Sequence, residues 1–340
     1  MDSVKTGPQL ITHTFTTHIP KDATDTMPSV NKLHTKFLER FKILLGDEFE
    51  AFLQCLNQPP VSFLRVNTLK FPVSQGKKRL AAMGVETHPL PWYHAGFRVS
   101  GEYEKISHSR EFALGYFYFQ EGGSTIPPLV LNLQEKQRIL DVCAAPGSKT
   151  TQMAQIIQNS GVIVANERIF RRVASLGHNL RLCGIANTIV LCEDGRKLPQ
   201  KLPITFDRIL VDVPCTASGH LRSKAPQYDI PDQKRIRGIQ TLQKELLSAG
   251  FRMLKSGGLL VYSTCSLHPE ENEDVVQNLV TQFPDAELVQ PNIPQLVSHT
   301  GISSWENRQY VDSMHRCLRV YPHDNDTDGF FIALIRRSSS

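Results

Sequence analysis

The stretch RILDVCAAPGSKTTQMAQIIQ, residues 138–158, decides the fold class of this chain. It opens with a short apolar run that is typical of a buried strand, passes through small residues, and continues with helical spacing of its apolar positions. The loop is neither GxGxxG nor GxxxxGK followed by Ser or Thr, so a dinucleotide-binding loop and a P-loop are both disfavoured. Small residues let the backbone approach a ligand closely, and the next helix offers free N–H groups. The stretch therefore predicts a strand, a ligand-binding loop and a helix.

The same alternation continues towards the C-terminus. Four more strand-like runs follow, most of them separated by helical patterns: GVIVANE (161–167), NTIVLCED (187–194), DRILVDVP (207–214) and GGLLVYSTC (257–265). Such alternation predicts an α/β fold, with a Rossmann-like parallel sheet and helices on both of its faces. The closing segments CLRVYP and GFFIALIRR predict an antiparallel pair at the edge of that sheet.

Polar or thiol side chains follow each of the five predicted strands. In an open parallel sheet, ligands bind beyond the carboxyl ends of the strands. We expect Glu167 to accept hydrogen bonds from ribose hydroxyls and Asp194 to accept one from the amine of an adenine. The full set of these positions is Cys143 to Lys149, Glu167, Asp194, Asp212 to Cys215, and Thr264 with Cys265.

The chain before residue 116 has a different pattern, helical at first and then mixed, which indicates a smaller accessory region. Residues 61–110 contain eight Lys or Arg against three Glu, a net charge of +5 that equals the excess of the whole chain. A basic stretch of this kind suits an anionic partner. We predict a flexible tail at 1–27, an accessory region at 28–115 and a catalytic domain at 116–340.

Composition disfavours several classes of protein. Of the 340 residues 40% are hydrophobic, and no apolar run approaches the ~18 to 20 residues that span a bilayer. The first thirty residues have no apolar signal core and no Arg, which disfavours a signal or transit peptide. The seven cysteines form no CxxC pair and no zinc spacing. We therefore expect a cytoplasmic monomer that binds neither a membrane nor a metal.

Two cysteines stand at predicted strand ends, Cys215 in DVPCTASG and Cys265 in YSTCSLHPEENE. A thiolate that adds to C6 of a cytosine makes C5 nucleophilic enough to attack an electrophilic methyl group. This chemistry also needs an acid near N3, for which Asp212 is placed if nearby negative charge favours its protonated form, and a base for the C5 proton. The spacing leaves open which thiol attacks. A small buried core residue is the commoner role of a cysteine, and we assign it to Cys55, Cys183, Cys192 and Cys317.

Together these segments resemble the Sun-domain (Nol/Nop/Sun, Fmu) family of S-adenosylmethionine-dependent RNA cytosine-5 methyltransferases. The resemblance covers about residues 60–336. FLRVNTLK resembles the N-terminal RNA-binding signature of the family, and CAAPGSKTTQMA resembles its cofactor loop. The other motifs occur in the family's order: ANERIFRRVASLGHNLRLCG, DGRKLP, VDVPCTASG, YSTCSLHPEENE and DGFFIALI.

The resemblance implies a class I methyltransferase sheet, preceded by an RNA-binding region, and roles for individual residues. Cys265, in the TC motif, would be the nucleophile, and Cys215, in the PC motif, would aid product release. S-adenosylmethionine would be contacted by residues of the loop and the strand ends: Cys143, Ala144, Ala145, Pro146, Gly147, Ser148, Lys149, Glu167, Arg172, Asp194 and Asp212. RNA would be contacted by basic residues of the N-terminal signature and of the loop at 219–238, which are Arg65, Lys70, Arg222 and Lys224.

The chain departs from the family pattern at three positions. Ser148 and Ala217 stand where Gly is usual, and Val213 stands where Pro or a smaller residue is common. We expect the changes at 148 and 213 to affect cofactor affinity, and Ala217 to restrict the loop after Cys215.

Other functions remain open. An RNA-binding or ribosome-assembly protein could keep this fold without the chemistry, although the retention of Asp212, Cys215 and Cys265 weighs against it. An oxidoreductase lacks the glycine fingerprint and leaves both thiols unexplained. The chain has no room for an extra C-terminal RNA-binding domain, and this compact form favours tRNA over rRNA as the substrate.

Overall fold

A computed structural model describes residues 35–100, 103–224 and 231–338. The predicted tail at 1–27 lies outside the described residues. So does the segment 225–230, which belongs to the basic loop predicted at 219–238.

Helices and strands alternate along most of the chain. The helices are α1 (Thr35–Leu45), α2 (Phe49–Leu56), α3 (Val73–Ala82), α4 (Tyr103–Ser107), α5 (Arg110–Ala113), α6 (Ile126–Val130), α7 (Ser148–Ile156), α8 (Phe170–Cys183), α9 (Leu198–Lys201), α10 (Leu221–Lys224), α11 (Gln233–Arg252), α12 (Glu273–Gln282) and α13 (Pro322–Asn325). The strands are β1 (Ser62–Val66), β2 (Thr87–Leu90), β3 (Tyr93–Val99), β4 (Phe117–Phe119), β5 (Arg138–Asp141), β6 (Val162–Asn166), β7 (Thr188–Leu191), β8 (Phe206–Asp212), β9 (Leu254–Thr264), β10 (Ala286–Val289), β11 (His299–Thr300), β12 (Ser304–Trp305), β13 (Arg308–Gln309), β14 (Leu318–Val320) and β15 (Phe330–Arg337).

The large sheet confirms the predicted Rossmann-like fold. Its strands are ordered β11-β14-β15-β9-β8-β5-β6-β7, and β10 pairs with β15. The run from β9 to β7 is parallel, as the strand–helix alternation predicts. The closing segments form the predicted antiparallel pair, β14 with β15, and β15 also pairs antiparallel with β9.

Helices cover both faces of this sheet because its central strands are apolar on both sides. Neighbouring residues of β8 show this: Ile209 packs into one buried cluster with Phe251 of α11, whereas Leu210 packs into another with Met153 of α7. Helix α11 begins at an N-cap, Asp232, whose side chain accepts a hydrogen bond from the Arg235 N–H. The core of the molecule therefore lies on both sides of β5, β8 and β9.

The N-terminal part forms a smaller antiparallel sheet in the order β2-β3-β1-β4, which packs on helix α3. The strand β4 (Phe117–Phe119) belongs to this sheet although it lies beyond the predicted boundary at residue 115. Helices α1 and α2 pack elsewhere, in a cluster with Leu221, Leu267 and Tyr321 of the large domain. Within the described ranges no helix combines the length and apolarity that a membrane crossing needs.

Candidate active site

Two loops meet at the carboxyl ends of β8 and β9 and bring the predicted cysteine pair together. The two strands are parallel neighbours, with Asp212 in register with Ser263. Each strand is followed by a cysteine-bearing loop, and the Sγ atoms of Cys215 and Cys265 lie 3.1 Å apart. Both thiols are partly buried. Sheet register thus joins residues that are fifty positions apart in the sequence.

A buried carboxylate, Glu271, holds the two cysteine loops against each other. It is fully buried and accepts hydrogen bonds from the Thr216 N–H at 2.9 Å and from the Ser266 hydroxyl at 2.6 Å. The Gln243 side chain of α11 adds a third at 3.0 Å. In the sequence this glutamate is only one acid of the motif YSTCSLHPEENE, and nothing in its spacing shows which loops it joins.

The surroundings of the two thiols shift their pKa values in opposite directions. A hydrogen bond from Cys215 lowers the pKa of Cys265 to about 5, against the effect of burial, and His220 acts in the same direction. The same hydrogen bond, together with burial, raises the pKa of Cys215 well above its usual value. These opposite shifts favour the thiolate form at Cys265 and the protonated form at Cys215.

His220 and Asp328 lie beside this thiol pair. The His220 ring contacts the Asp328 carboxylate through Nδ1 and also hydrogen-bonds Cys265. Although burial acts against it, the charges of Cys265 and Asp328 raise the pKa of His220 well above its usual value. The sequence alone allows His220 to stack on or bond to a base, but it does not indicate the contact with Cys265. Asp328 went unrecognised, since its motif DGFF carries no sign of its partner.

Asp212 lies at the end of β8 and is paired with a cation. The ammonium of Lys149 is 2.7 Å from Asp212 Oδ2, and the Ser263 hydroxyl donates to Oδ1 at 2.7 Å. Although burial lowers it, the pKa of Lys149 is raised overall by the Asp212 carboxylate. The expected negative charge lies near Asp212, since Asp141 and Cys265 both interact with it electrostatically. Its direct contact, however, is with the ammonium of Lys149 at the start of α7.

The predicted cofactor loop connects β5 to α7. Gly147 adopts a left-handed conformation with φ of 108° just before α7 begins at Ser148, a conformation that residues with a Cβ rarely adopt. Arg172 donates to the Ala145 carbonyl, and its guanidinium lies 3.2 Å from Glu167 Oε2. Of the other predicted contacts, Cys143, Ala144 and Pro146 lie between these two elements, and Lys149 is the second residue of α7.

Glu167 and Asp194 lie at the ends of two neighbouring strands, β6 and β7. Glu167 is buried, and its Oε1 accepts a hydrogen bond from the Ile169 N–H at 2.8 Å. Asp194 accepts from the Arg196 guanidinium at 2.6 Å, and this contact lowers the pKa of Asp194 to about 2. Two carboxylates beside a helix N-terminus are acceptors suited to the hydroxyls and the amine of a nucleoside, so the residues present fit S-adenosylmethionine.

The basic residues predicted to contact RNA are mostly engaged inside the protein. Arg65 is 1% exposed and donates to Gln120 at 3.0 Å and to Thr151 at 2.8 Å. Arg222 is 6% exposed and pairs with Asp326. The prediction that these two side chains contact phosphates is therefore wrong, because neither guanidinium faces solvent.

The other two predicted RNA contacts differ from this pair. Lys70 is exposed, and its ammonium donates to the Leu182 carbonyl at 2.8 Å, next to the N-terminal sheet. The side chain of Lys224 lies outside the described residues.

One group of side chains in the described parts of the chain has the composition of a metal site. Glu48, His299, His323 and Asp324 place one ligand atom each within 4.8 Å of the others. They join the residue before α2 to β11 and α13 and include none of the predicted active-site residues. The expected absence of a metal stays a prediction.

The fold and the site together define a Rossmann-like methyltransferase of the type that carries two cysteines at neighbouring strand ends. The chain belongs to the 16S rRNA methyltransferase RsmB/F family, whose profile matches residues 128–336, more than half of its length. The profile of the N-terminal domain of 16S rRNA methyltransferase RsmF matches residues 33–122. The predicted family of S-adenosylmethionine-dependent RNA cytosine-5 methyltransferases is thereby confirmed.

Relatives of known name support this assignment. The tRNA (cytosine(49)-C(5))-methyltransferase of Pyrococcus abyssi is 38% identical over 307 residues, which are 90% of this chain and 97% of that protein. Ribosomal RNA small subunit methyltransferase F of Vibrio vulnificus is 36% identical over 314 residues, 89% of this chain but 64% of that protein. This chain therefore spans less than two thirds of the length of the bacterial relative.

Solved structures show the same arrangement. A methyltransferase homologue from Pyrococcus horikoshii superposes with a TM-score of 0.80 at 34% identity, over 90% of this chain and 96% of that one. NSun6 from Pyrococcus horikoshii, solved with SFG, an analogue of S-adenosylmethionine, gives a TM-score of 0.77 at 25% identity over 90% and 99%.

Proposed function

We propose that this protein transfers a methyl group from S-adenosylmethionine to carbon 5 of a cytosine in RNA, through a covalent bond between Cys265 and C6. The observation that carries the proposal is the cysteine pair, with Sγ atoms 3.1 Å apart and with surroundings that lower the pKa of Cys265 and raise that of Cys215. A thiolate is the attacking form of cysteine. A protein that only binds RNA has no use for such a pair.

The assignment of the two thiols rests on their different acidity. Cys265 carries the negative charge and attacks C6, so that the Sγ–C6 bond forms while ring N3 takes up a proton. Cys215, which keeps its proton, lies at hydrogen-bonding distance from the attacking sulfur. After C5 has received the methyl group its proton leaves to a base, the Sγ–C6 bond breaks and N3 gives up its proton. Cys215 is placed to assist this release.

The pair of Asp212 and Lys149 is the proton source in this proposal. Their 2.7 Å contact places an ammonium and a carboxylate together at the end of β8, next to the Cys215 loop. The carboxylate accepts a hydrogen bond from the exocyclic amine of cytosine, and the ammonium supplies the proton to N3. The acid role that the sequence predicted for Asp212 thereby passes to its partner.

The cofactor site is proposed at the ends of β5, β6 and β7. S-adenosylmethionine supplies an electrophilic methyl group when it is bound. Glu167 would hold the ribose hydroxyls, Asp194 the adenine amine, and the N-terminus of α7 the carboxylate of the amino-acid part. Arg172 ties the cofactor loop to Glu167 and is a positioning residue here, because its guanidinium contacts the Ala145 carbonyl.

We propose tRNA as the substrate in preference to rRNA. The support is the share of each relative that aligns with this chain. The alignment covers 97% of the relative named as a tRNA methyltransferase and 64% of the relative named as an rRNA methyltransferase. The target cytosine has to leave its stack to reach the thiols.

The test uses the purified protein, labelled S-adenosylmethionine, and size-fractionated RNA from cells that lack this activity. We expect 5-methylcytosine in the tRNA fraction, no label with Cys265→Ala, and a denaturation-resistant protein–RNA adduct with Cys215→Ala. Cys192→Ala, which removes an exposed thiol, is the control and keeps full activity. Label in rRNA alone would overturn the substrate, and RNA binding without label in any fraction would support a catalytically silent RNA-binding protein.

A further inference from the structure

The backbone around His220 is packed so closely that it fixes the position of the ring beside Cys265. The Gly219 N–H donates to the Cys265 carbonyl at 2.8 Å, and the Gly329 N–H donates to the Gly219 carbonyl at 3.0 Å. A Cβ at Gly219 would lie 2.3 Å from the Gly329 carbonyl oxygen, so only glycine fits. Three chain segments thus meet with His220, Cys265 and Asp328 next to one another.

The imidazole ring of His220 contacts two side chains, those of Asp328 and Cys265. Its Nδ1 contacts the Asp328 carboxylate, and the ring is also hydrogen-bonded to the Cys265 sulfur. We therefore assign the hydrogen bond with the sulfur to Nε2. The side chains of His220 and Asp328 are only 21% and 12% exposed. Water therefore screens the interactions of this imidazole weakly, which strengthens them.

Other ionisable groups surround the pair. Glu121 accepts a hydrogen bond from the Asp328 N–H at 2.8 Å, and burial first, then Asp328, raises the pKa of Glu121 to about 7. Cys215, in the same loop as His220, lowers the pKa of Cys265, whereas Asp212 of β8 raises it. Lys149 of α7 also interacts electrostatically with Cys265. Asp328 is thus the group that pairs with His220 through its side chain, and Asp212 opposes the thiolate.

We propose that His220, oriented by Asp328, is a catalytic residue that holds the Cys265 nucleophile in its thiolate form. The S–H bond of Cys265 breaks, its proton moves to Nε2, and Asp328 compensates the positive imidazolium. The proton stays on His220 while the Sγ–C6 bond forms and breaks, so the ion pair is restored at the end of each turnover. This inference rests on the proposed role of Cys265, and it extends that role to two residues outside the two cysteine motifs.

The first test measures the thiolate without any RNA. The full-length protein is alkylated with iodoacetamide between pH 5 and 9, and modification of the Cys265 peptide is followed by mass spectrometry. In His220→Gln we expect the rate at pH 5 to fall about fivefold, because a rise of one unit from a pKa of about 5 takes the thiolate from about half to about a tenth of the molecules, and to rejoin that of the wild type near pH 9. Asp328→Asn shifts the profile in the same direction by less.

His268→Gln is the matched control. His268 is a buried histidine in the Cys265 loop, and its ring packs against Phe37 and Phe41 of α1. We expect this variant to leave the alkylation profile of Cys265 in place even where it lowers stability. Circular dichroism of each variant shows whether it is folded at the pH of the assay.

The outcomes separate this inference from the proposed function. A shifted alkylation profile, together with a kcat that falls at low pH while KM for RNA stays constant, supports the thiolate role. An unchanged profile in folded His220→Gln overturns it, and a rise in KM alone would identify His220 as a contact to the base. Failure of Cys265→Ala to abolish methylation would instead overturn the proposed function, whatever the alkylation shows.

Discussion

Glu271 shows how one buried residue can determine active-site geometry. Its carboxylate accepts from Thr216 in one cysteine loop and from Ser266 in the other. Glu271→Gln replaces one acceptor oxygen by a donor and leaves a buried donor without a partner. We expect a loss of about 2 to 4 kcal/mol in the free energy of unfolding. We also expect a clear fall in kcat, since the spacing of the two thiols relaxes.

Urea unfolding and methylation kinetics check this prediction, with Glu270→Gln as the control. Glu270 is the preceding residue, and its side chain pairs with Arg40 of α1 at 2.6 Å. The control should lose stability and keep its kcat. A Glu271→Gln protein with normal kcat would show that the loops hold the thiols without this carboxylate.

Sequence alone can predict a functional residue when its role depends on the chemistry of its side chain and not on how the chain packs around it. Cys215 and Cys265 are examples, because a thiol at a strand end has few other uses there. The basic residues show the limit: Arg65 and Arg222 have the charge of phosphate contacts, yet both are buried in ion pairs or hydrogen bonds. Charge is a property of the sequence, whereas exposure depends on which elements pack over the side chain.

At the level of helices and strands, the sequence does not predict the order of the strands in the large sheet. The alternating pattern predicted β5, β6, β8 and β9 together with their parallel direction. It did not predict that β8 and β9 are neighbours or that Asp212 is in register with Ser263. Strand order comes from long-range packing of both sheet faces, and that order brings the two cysteine loops together.

The contact between the N-terminal sheet and helix α7 is made through Arg65. Its guanidinium, on β1, donates to Thr151 and Gln155 of α7, and all three side chains are buried. Arg65→Met keeps the apolar stem but leaves these acceptors unpaired. We expect the free energy of unfolding to fall by about 3 kcal/mol and the N-terminal sheet to become sensitive to protease.

Arg79→Met on α3 is the control for this element. Arg79 is 44% exposed and pairs with Glu111 at 3.1 Å, so its loss should cost no more than about 1 kcal/mol. The affinity for RNA, measured over a range of salt concentrations, is a second readout. Arg65→Met should leave the slope of log affinity against log salt concentration unchanged. A slope that falls by about one, with normal stability, would restore Arg65 as a phosphate contact.

At the scale of the whole molecule, residues from both ends of the described chain meet in one cluster. Glu48, after α1, lies 3.3 Å from His299 and 2.9 Å from His323, and His299 lies 3.0 Å from Asp324. Hydrogen bonding to Asp324 raises the pKa of His299 above its usual value. Protonation of His299 therefore stabilises the contact between the N-terminal helices and the C-terminal part of the large domain.

The raised pKa of His299 determines how its contribution to stability changes with pH. A group whose pKa is higher in the folded state contributes its full stability below the unfolded pKa of about 6.5 and loses it as pH rises through the folded value. We expect the wild type to exceed His299→Gln in stability at pH 6 by no more than about 1 kcal/mol, since the ring is a third exposed. The difference should shrink towards pH 8.5, because His299 loses its proton as the pH rises through its raised folded pKa.

Urea unfolding of both proteins at the two pH values tests this, and only the change in their difference counts because other groups titrate as well. His178→Gln, at an exposed position on α8, is the control and should follow the wild type at both pH values. A difference that grows with pH would mean that the neutral ring is the stabilising form. The cluster would then act through hydrogen bonds alone, and closure between the two ends of the chain would not depend on charge.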